Sequence, residues 1–384
     1  MRAYRTAQLT ERTRSAMLRR AGLPKDTAES PRPGGAPGME QMYRFSAHEL
    51  RSFAQAAFQA AGAPEDIAAY VADHLVDANL CGHDSHGVLR IPSYIEAIRR
   101  GALDPAARPV VARERPASML VDGNGGFGHT TTAFALEHGI SRARDAGVAA
   151  VAIRRCGHIG RLGAYTEEGA RRGYVVLLCA GSAGKGARSV VPFGAAAGGL
   201  GTNPWSIAIP SETGQPLMMD FATAIIAGGK VMVARAKHEP LPEGYLIGPD
   251  GRPSTDPNDY FRGGALHPFG GHKGSALSLM AAMLGGLSGA YGDGRIGGTF
   301  MLVIDPAAFG DAQAYCAGVA SAAAALKALP AAPGMAEVLL PGEPERCARA
   351  QRSRDGIPVP ADTLRELQHV AATLGIAPLR SPSM

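Results

Sequence analysis

From residue 118 onward, short apolar segments alternate with longer amphipathic segments, and this alternation restricts the possible folds more than any other feature of the sequence. Short runs rich in β-branched residues predict strands, whereas apolar residues three or four positions apart predict helices. We predict strands at 118–121, 148–153, 174–179, 206–209, 217–220 and 300–304, with helices at 131–146 and 162–172. The chain is therefore expected to contain an α/β body.

Helices are predicted on both sides of this body. Ser46 and Glu49 have the spacing of a capping box, which marks the start of a helix that continues to about Gly62. The other predicted helices of the flanks cover 64–81, 89–100, 319–329 and 361–374. Helical segments are thus expected before and after the α/β body.

The composition permits a large globular protein and restricts its partners. The 384 residues are 46% hydrophobic, which is enough to bury one large core or several smaller ones. The net charge of +5 is small for this length, and no long run of Lys and Arg contains interleaved aromatic residues, so we expect no nucleic-acid partner. The longest clean apolar run, 174–180, is too short to span a membrane, so we expect no membrane partner.

Cysteine usage and the first residues bear on the cellular location. The five cysteines are far apart and form no CxxC pair, which argues against a disulfide framework and favours a reducing compartment. We expect a cytoplasmic protein. Residues 1–42 are rich in arginine but lack the apolar core of a signal peptide. We expect a disordered leader there, with Met39 or Met42 as an alternative start of the chain.

The segment 81–94 is the strongest candidate for chemistry. If helical turns run through it, His86, Arg90 and Tyr94 lie four residues apart on one face. Arg90 is suited to bind a carboxylate, and His86 is suited to transfer a proton to a neighbouring oxygen. Reduction of a 2-oxo acid needs both, because hydride addition at C2 leaves charge on the carbonyl oxygen. From spacing alone, a surface histidine and a solvated arginine remain open as alternatives.

Three further segments place reactive side chains beside glycines or at strand ends. His158 lies on a glycine-rich turn after a predicted strand, where active-site loops are common. Asp220 ends a strand, and Lys273 with Gly274 precedes a helix; both positions suit contacts to ribose or phosphate. The alternatives are a turn histidine, a helix-capping aspartate and a solvated lysine. No helix motif of histidine and carboxylate predicts a metal site.

Residues 123–128, with the sequence GNGGFG, satisfy the GxGxxG pattern between a predicted strand and a predicted helix. The pyrophosphate-binding loop of a Rossmann fold lies at such a junction. The next strand ends at Arg154 and Arg155, so a Rossmann interpretation favours NADP, since an acidic residue is expected there for NAD. A glycine-rich turn explains the same pattern, and spacing alone leaves the two interpretations open.

Taken in order, these segments resemble the malate/L-lactate dehydrogenase family, which also includes 2,3-diketogulonate reductase, sulfolactate and ureidoglycolate dehydrogenases, and piperideine-2-carboxylate reductase. The resemblance extends from about Phe45 to Pro360, and the segment 201–204, GTNP, is especially typical. The motifs that carry it are DSHGVLRIPSY, VDGNGGFGH, GHIGRLGAY, GTNPWSIAIP, MMDFAT, GGHKG and IDPAAF.

The resemblance implies a fold that is not Rossmann. It implies an α/β (α+β) protein in which a mixed, largely antiparallel sheet binds NAD(P) within a central domain at 121–309. A substrate and dimerisation domain would be assembled from 43–120 and 310–384. The family also implies a homodimer with the active site near the subunit interface.

The resemblance further implies roles for individual residues. His86 resembles the family's proton donor, Ser85 its hydroxyl neighbour, and His158 a second histidine on the substrate side. Asp220 is assigned both to catalysis and to the cofactor. The substrate contacts are assigned to Arg90, Tyr94 and Thr202. The contacts to NAD or NADP are assigned to Leu217, Met218, Met219, Asp220, Phe221, Ala222, Thr223, Lys273, Gly274, Gly342, Glu343 and Pro344.

One departure from the family concerns the substrate. Where relatives commonly carry Thr-Asn-Ser, this chain has Ala-Gly-Ser at 180–182, followed by Lys185. A lysine near the pocket favours a doubly anionic substrate. We therefore expect an NAD(P)-dependent enzyme that acts on a small anionic 2-oxo or 2-hydroxy acid, with a cyclic imino acid reductase as the alternative. A catalytically silent anion-binding protein and a metal hydrolase are the alternatives from other classes.

Overall fold

The computed structural model describes residues 42–236 and 238–380. The expected leader lies outside the described residues. The strands are β1 (Met42–Phe45), β2 (Val110–Arg115), β3 (Ser118–Asp122), β4 (Val148–Arg154), β5 (Val175–Gly184), β6 (Trp205–Ile209), β7 (Leu217–Phe221), β8 (Leu246–Ile247), β9 (Pro253–Ser254), β10 (Ala265–Leu266), β11 (Tyr291–Gly292), β12 (Arg295–Ile304) and β13 (Ile357–Pro360). The α-helices are α1 (Ala47–Ala60), α2 (Glu65–Leu80), α3 (Ile91–Arg99), α4 (Gly128–Ala146), α5 (Gly163–Arg171), α6 (Gly228–Ala236), α7 (Pro257–Phe261), α8 (His272–Gly285), α9 (Ala312–Lys327), α10 (Glu343–Asp355) and α11 (Ala361–Leu374).

An eight-stranded sheet forms the α/β body, and it is mixed, as expected. Its strand order is β2-β3-β4-β12-β5-β6-β7, with β11 paired to β12. The β3–β4 pair is parallel, whereas β12 pairs antiparallel with both β4 and β5. The remaining neighbours in this order are also antiparallel. The prediction of a mixed α/β protein is therefore confirmed.

Helices α4 and α8 cover the two faces of the central strand β12. Burial alternates along β12 with the two-residue period of a strand. Met301 and Val303 belong to the apolar cluster that includes α4, whereas Phe300 packs with residues of α8 and with Trp205. Helix α8 lies very close to the sheet, because a Cβ on Gly181 would be only 2.6 Å from the backbone nitrogen of Ala282.

A separate helical layer combines both ends of the described chain. Strand β1 pairs antiparallel with β13, and one apolar cluster joins residues of α1, α2 and α3 to residues of α11. Helices are thus present in both flanks as predicted, and α11 packs with α1, α2 and α3. Strands β2 and β3 belong to the central sheet instead, and the predicted domain boundaries at 120 and 310 stay a prediction.

Three local details differ from the sequence-based expectation. Strand β5 continues to Gly184 and β12 begins at Arg295, so both extend about five residues beyond the prediction, through segments that contain glycines. Helix α10, which begins at Glu343, was not predicted. The helix predicted at 89–100 is present as α3, but its first residues form a 3-10 turn at 88–90. Within the described residues, no helix is long and apolar enough to cross a membrane.

Candidate active site

The loop between α2 and α3 holds the strongest sequence candidates. It consists of two 3-10 turns, 84–86 and 88–90, separated by extended backbone at Gly87. The prediction that His86, Arg90 and Tyr94 share one helical face is therefore wrong, since no continuous helix joins them. The loop needs a glycine at 87, because a Cβ there would be 2.1 Å from Oδ1 of Asn79.

Asn79, at the end of α2, fixes both turns of this loop. Its Nδ2 donates to Oδ1 of Asp84 at 2.7 Å, and its Oδ1 accepts a hydrogen bond from the Val88 backbone N–H at 2.9 Å. From the other side, Arg352 of α10 donates two hydrogen bonds to Asp84, at 2.6 and 3.0 Å. The loop is thus held between α2 and α10, and one amide side chain joins its two turns.

His86 lies in this loop with one ring nitrogen engaged. Ser85 Oγ is 3.0 Å from His86 Nδ1, so His86 Nε2 is the atom left for a substrate. The ring stacks on that of His158, with centroids 5.5 Å apart and planes 20° from parallel. Burial lowers the pKa of His86 to about 3, and the positive charges of a protonated His158 and of Arg90 act in the same direction. At neutral pH the imidazole is therefore uncharged and able to accept a proton.

His158 connects the loop to the sheet. It follows β4 and lies across from α3, where its Nδ1 is 2.6 Å from the Tyr94 hydroxyl. Part of its side chain is exposed to solvent, and desolvation by the surrounding protein lowers its pKa to about 3, with further contributions from His129 and Arg90. The structure thus brings the two predicted histidines and Tyr94 together, although through the turn after β4 and not through a helix face.

Arg90 supplies the cation of the site. Its Nε donates to the Ser85 carbonyl oxygen at 2.6 Å, which orients the guanidinium relative to His86. Within the described part of the chain, no carboxylate forms an ion pair with Arg90. The Nη atoms are therefore free to bind an anionic group beside the two imidazoles.

Asp220 does not contact this group of residues. Its Oδ2 accepts a hydrogen bond of 2.6 Å from the Gly163 backbone N–H, at the first residue of α5. Burial raises the pKa of Asp220, although His83 and Arg161 oppose this effect. The observed contact is that of a helix-capping aspartate, and the catalytic assignment of Asp220 stays a prediction.

The segments assigned to the cofactor lie next to one another. The Met218 N–H donates to the Pro341 carbonyl oxygen, which places β7 beside Gly342. At the other end, the Thr223 carbonyl oxygen accepts from the Phe269 N–H, just before the turn that carries Lys273 and Gly274. The segment that follows β7 lies against the loop between α2 and α3, because a Cβ on Gly229 would be 3.1 Å from Cβ of Ser85.

Several of these assigned side chains are already engaged within the protein. Met218 and Thr223 are buried, and Thr223 Oγ1 donates to the Thr202 carbonyl oxygen at 3.0 Å. The Glu343 carboxylate pairs with Lys327 and accepts from the Leu340 N–H, and Lys327 lowers the Glu343 pKa. Backbone atoms and exposed side chains such as Phe221 and Lys273 are the groups that remain available to a ligand.

Sequence reasoning missed the residues that stabilise the site from behind. His129 lies next to His158 and Tyr94, His74 packs against His129, and Arg161 pairs with Asp77 at 3.0 Å. No local pattern marks His74 or Arg161, since only packing brings them to the site. His129, which follows GxGxxG directly at the start of α4, offered a weak signal.

Fold and site together define the class: a mixed α/β protein whose candidate active site combines neutral imidazoles, a tyrosine hydroxyl and a cation for an anionic substrate. The family described as malate/L-lactate dehydrogenase matches residues 45–368. Hydroxycarboxylate dehydrogenase B of Escherichia coli (strain K12) is 36% identical over 351 residues, covering 88% of this chain and 96% of that protein. L-lactate dehydrogenase of Cupriavidus necator is 36% identical, covering 87% of this chain and 99% of that protein.

The chain is also similar to a solved structure over most of its length. The delta1-piperideine-2-carboxylate reductase from Pseudomonas syringae pvar. tomato superposes with a TM-score of 0.75 at 33% identity, covering 85% of this chain and 99% of that chain. The chain belongs to the malate/L-lactate dehydrogenase family, and it is an oxidoreductase of the hydroxy acid dehydrogenase type.

Proposed function

We propose that the chain transfers a hydride between the nicotinamide of NAD or NADP and C2 of a small 2-oxo or 2-hydroxy acid, with His86 as the proton-transfer group. The observation that carries this proposal is the His86 ring, with the Ser85 hydroxyl at its Nδ1, stacked on His158 and with Arg90 beside it. A base, an adjacent hydroxyl and an anion-binding cation are what this reaction needs around C2.

In the oxidation direction, Arg90 binds the carboxylate of the 2-hydroxy acid and places its hydroxyl at Nε2 of His86. The O–H bond breaks, the proton moves to Nε2, and the electron pair forms the carbonyl as the hydride leaves C2. Ser85 at Nδ1 holds the ring in one orientation. Bound nicotinamide supplies the hydride acceptor, and the reverse reaction uses its reduced form as donor.

The residues present fit such a cofactor. Lys273 is exposed in the first turn of α8, where a helix N-terminus and a lysine suit a phosphate group. Three segments are neighbours here: β7, the turn before α8 and the segment around Gly342. Gly229, which follows β7 in the chain, lies against Ser85. These segments would hold the nucleotide along β7 with its reactive end toward His86.

A cofactor site along β7 replaces the Rossmann interpretation. The GxGxxG segment is filled by protein, since a Cβ on Gly128 would be 2.2 Å from the Gly157 carbonyl oxygen. The N–H groups of Gly123 and Gly125 donate to the carbonyl oxygens of Arg154 and Arg155. Because these donors are used within the protein, they support a structural turn and not a pyrophosphate loop.

The homodimer and the cytoplasmic location belong to this proposal. Exposed apolar side chains from α8 to β11 support association with a second copy, because such patches often mark interfaces. They are Leu279, Met280, Met283, Leu287 and Tyr291.

The test is a substrate panel run with both reduced cofactors. Pyruvate, oxaloacetate, sulfopyruvate and piperideine-2-carboxylate are incubated with the purified chain, and the loss of reduced-nicotinamide absorbance is followed. We expect turnover of a 2-oxo acid, and a preference for a dianionic one supports a contribution from Lys185. Turnover of the imino acid alone favours the alternative, which the resemblance to the piperideine-2-carboxylate reductase supports. No turnover of any of the four acids contradicts the proposal.

A further inference from the structure

Each of the two histidines of the candidate active site is bound at Nδ1 by a hydroxyl group. Ser85 Oγ lies 3.0 Å from His86 Nδ1, and the Tyr94 hydroxyl lies 2.6 Å from His158 Nδ1. A hydroxyl either donates to a ring nitrogen or accepts from it, and this choice decides which nitrogen of a neutral imidazole carries the proton. The two hydroxyls therefore decide whether each ring presents a lone pair or an N–H at Nε2.

Tyr94 is held firmly in place by aromatic neighbours. It is 6% exposed and packs with the rings of Phe58, Phe127 and His129, at centroid distances of 6.4, 6.3 and 5.6 Å. Burial raises the pKa of Tyr94, so the phenol keeps its proton at pH 7. Within the described part of the chain, His158 Nδ1 is the only hydrogen-bond partner of this hydroxyl.

The hydroxyl proton of Tyr94 fixes the tautomer of His158. If His158 carried its proton on Nδ1, the Tyr94 proton would have no acceptor among the described residues, and a buried donor without an acceptor is costly. Donation from Tyr94 to Nδ1 removes this cost and leaves the one proton of the neutral ring on Nε2. Part of the His158 side chain is exposed, so this N–H is available to a ligand.

Ser85 acts on His86 in the opposite sense. In the proposed oxidation, His86 takes the substrate proton on Nε2, so its own proton lies on Nδ1 and is donated to Ser85 Oγ. A serine hydroxyl rotates to accept such a bond, and half-buried Ser85 still reaches solvent with its own proton. The two rings, stacked with planes 20° from parallel, thus present a base and a hydrogen-bond donor side by side.

We propose that Tyr94 is a positioning residue that holds the His158 proton on Nε2, where it donates a hydrogen bond to the C2 oxygen of the bound acid. In reduction, hydride adds to C2, the carbonyl electron pair moves to this oxygen, and the oxygen takes its proton from His86 Nε2. His158 keeps its own proton throughout. A fixed donor beside the developing charge stabilises the transition state. The inference rests on the proposed function and gives Tyr94 a role through His158 in place of a substrate contact.

The first experiment reads the tautomer and needs no turnover. Nuclear magnetic resonance of the His158 ring nitrogens, assigned by their loss in His158→Leu, distinguishes a protonated from an unprotonated nitrogen at pH 7. The Nε2–H form should exceed the Nδ1–H form by about tenfold or more, and Tyr94→Phe should lower this ratio by about fivefold or more. Wild-type His158 protonated on Nδ1, or an unchanged ratio in Tyr94→Phe, overturns the proposal.

Tyr165→Phe is the matched control for this measurement. Tyr165 is also buried, and its hydroxyl donates at 2.6 Å to the carbonyl oxygen of Ile159, the residue after His158. Its loss removes a buried hydroxyl from the same turn without touching the His158 ring, so the tautomer ratio should stay as in wild type. A ratio that falls equally in both variants overturns the specific role of Tyr94.

The second experiment places the donor against a ligand. Oxamate, a non-reacting mimic of a 2-oxo acid, is added with reduced cofactor, and exchange of the His158 Nε2 proton with water is followed. A hydrogen bond to the ligand should slow this exchange by about tenfold or more. A proton found on Nδ1 in the complex, or an unchanged exchange rate with oxamate bound, overturns the donor role.

The third experiment is a double-mutant cycle in steady-state turnover. Tyr94→Phe should lower kcat by about tenfold and leave KM within about twofold, because the donor acts on charge that develops in the transition state. In a His158→Leu background the same change should alter kcat by less than about twofold. Equal losses in both backgrounds indicate a merely structural tyrosine and overturn the proposal. An inactive wild-type chain in the substrate panel contradicts the proposed function instead, and the tautomer of His158 is measurable either way.

Discussion

His74 and Asp77 lie one turn apart on α2, yet one belongs to a region whose titratable side chains are neutral and the other to a region whose side chains are charged. The imidazole column consists of His74 and His129, which are buried, and of His86 and His158, which are partly desolvated; within the described residues these rings have no ionic partner, and they stay neutral. The arginine clamp consists of Asp77 with Arg161 and Arg349, and of Asp84 with Arg352. Burial raises the pKa of Asp77, but its two arginines outweigh that effect and keep it charged.

The comparison shows how one layer of the protein provides both reactivity and rigidity. Burial alone suppresses charge and leaves an imidazole neutral at pH 7, whereas burial with partners preserves charge and fixes geometry. The clamp holds the loop that carries His86, and the column contains that proposed proton-transfer group.

The largest effect that we expect comes from removing the reactive member of the column. His86→Gln keeps a polar side chain but cannot accept a proton, so kcat should fall by about 10²- to 10⁴-fold. The fall is measured by steady-state turnover of the substrate that the panel identifies. His138→Gln is the matched control. Loss of less than about tenfold would remove His86 from the role of proton-transfer group.

Removing a charge from the arginine clamp should lower the free energy of unfolding. Asp77→Asn leaves Arg161, whose side chain is 1% exposed, without its nearest carboxylate. Breaking a buried pair in this way costs about 3 kcal/mol of unfolding free energy. Chemical denaturation measures the loss. Asp66→Asn, which removes an exposed partner of Arg108, should leave the unfolding midpoint unchanged. Similar midpoints for both variants would show that the clamp does not stabilise the fold.

The imidazole column should make the free energy of unfolding depend on pH in the acid range. Burial holds the pKa of His74 at about 3 in the folded chain, whereas an unfolded histidine titrates near 6.5. Below that pH the unfolded state binds the extra proton, so unfolding free energy falls by about 1.4 kcal/mol per pH unit for this ring. His74→Leu should therefore be about as stable as wild type at pH 7 and roughly 2 kcal/mol more stable relative to it at pH 5. Parallel pH profiles for the two proteins would contradict a neutral His74.

The smallest effect concerns Asn79, which links the clamp to the column. Asn79→Ala leaves the Val88 N–H without its acceptor and removes one bond to Asp84, so unfolding free energy should fall by about 1–2 kcal/mol. Because the loop then holds His86 less firmly, kcat should fall by about tenfold. Denaturation and steady-state kinetics measure the two losses. An unchanged kcat would show that the loop keeps its position without Asn79.

Local patterns in the sequence predict most helices and strands, because each carries its own periodicity of apolar residues. They do not predict β1 and β13, since four-residue strands that pair across more than 300 positions have no local signature and β13 contains two prolines. Continuous helical turns through His86, the condition for one face shared with Arg90 and Tyr94, are absent for a specific reason. Asn79 fills the space beside Gly87 and forces the break, and this contact joins residues that no repeating pattern connects.

The site was predictable only where one segment carries several reactive residues. The segment 81–94 and the turn at 156–163 stand out in the sequence, and the structure brings His86, His158 and Tyr94 together. His74 and His129 are isolated in the sequence, and Arg161 looks like an ordinary charged residue there. Their roles depend on burial and on close packing around Gly160, which are properties of the folded chain.

A nuclear magnetic resonance titration of the His86 imidazole nitrogens tests the central claim most directly. Burial beside a positive neighbour should keep the ring neutral from pH 8 down to about pH 4 in the free chain. Addition of reduced nicotinamide cofactor and oxamate should then charge the same ring at pH 7. A ring that titrates near pH 6.5 in the free chain, or that stays neutral in the complex, would contradict the account.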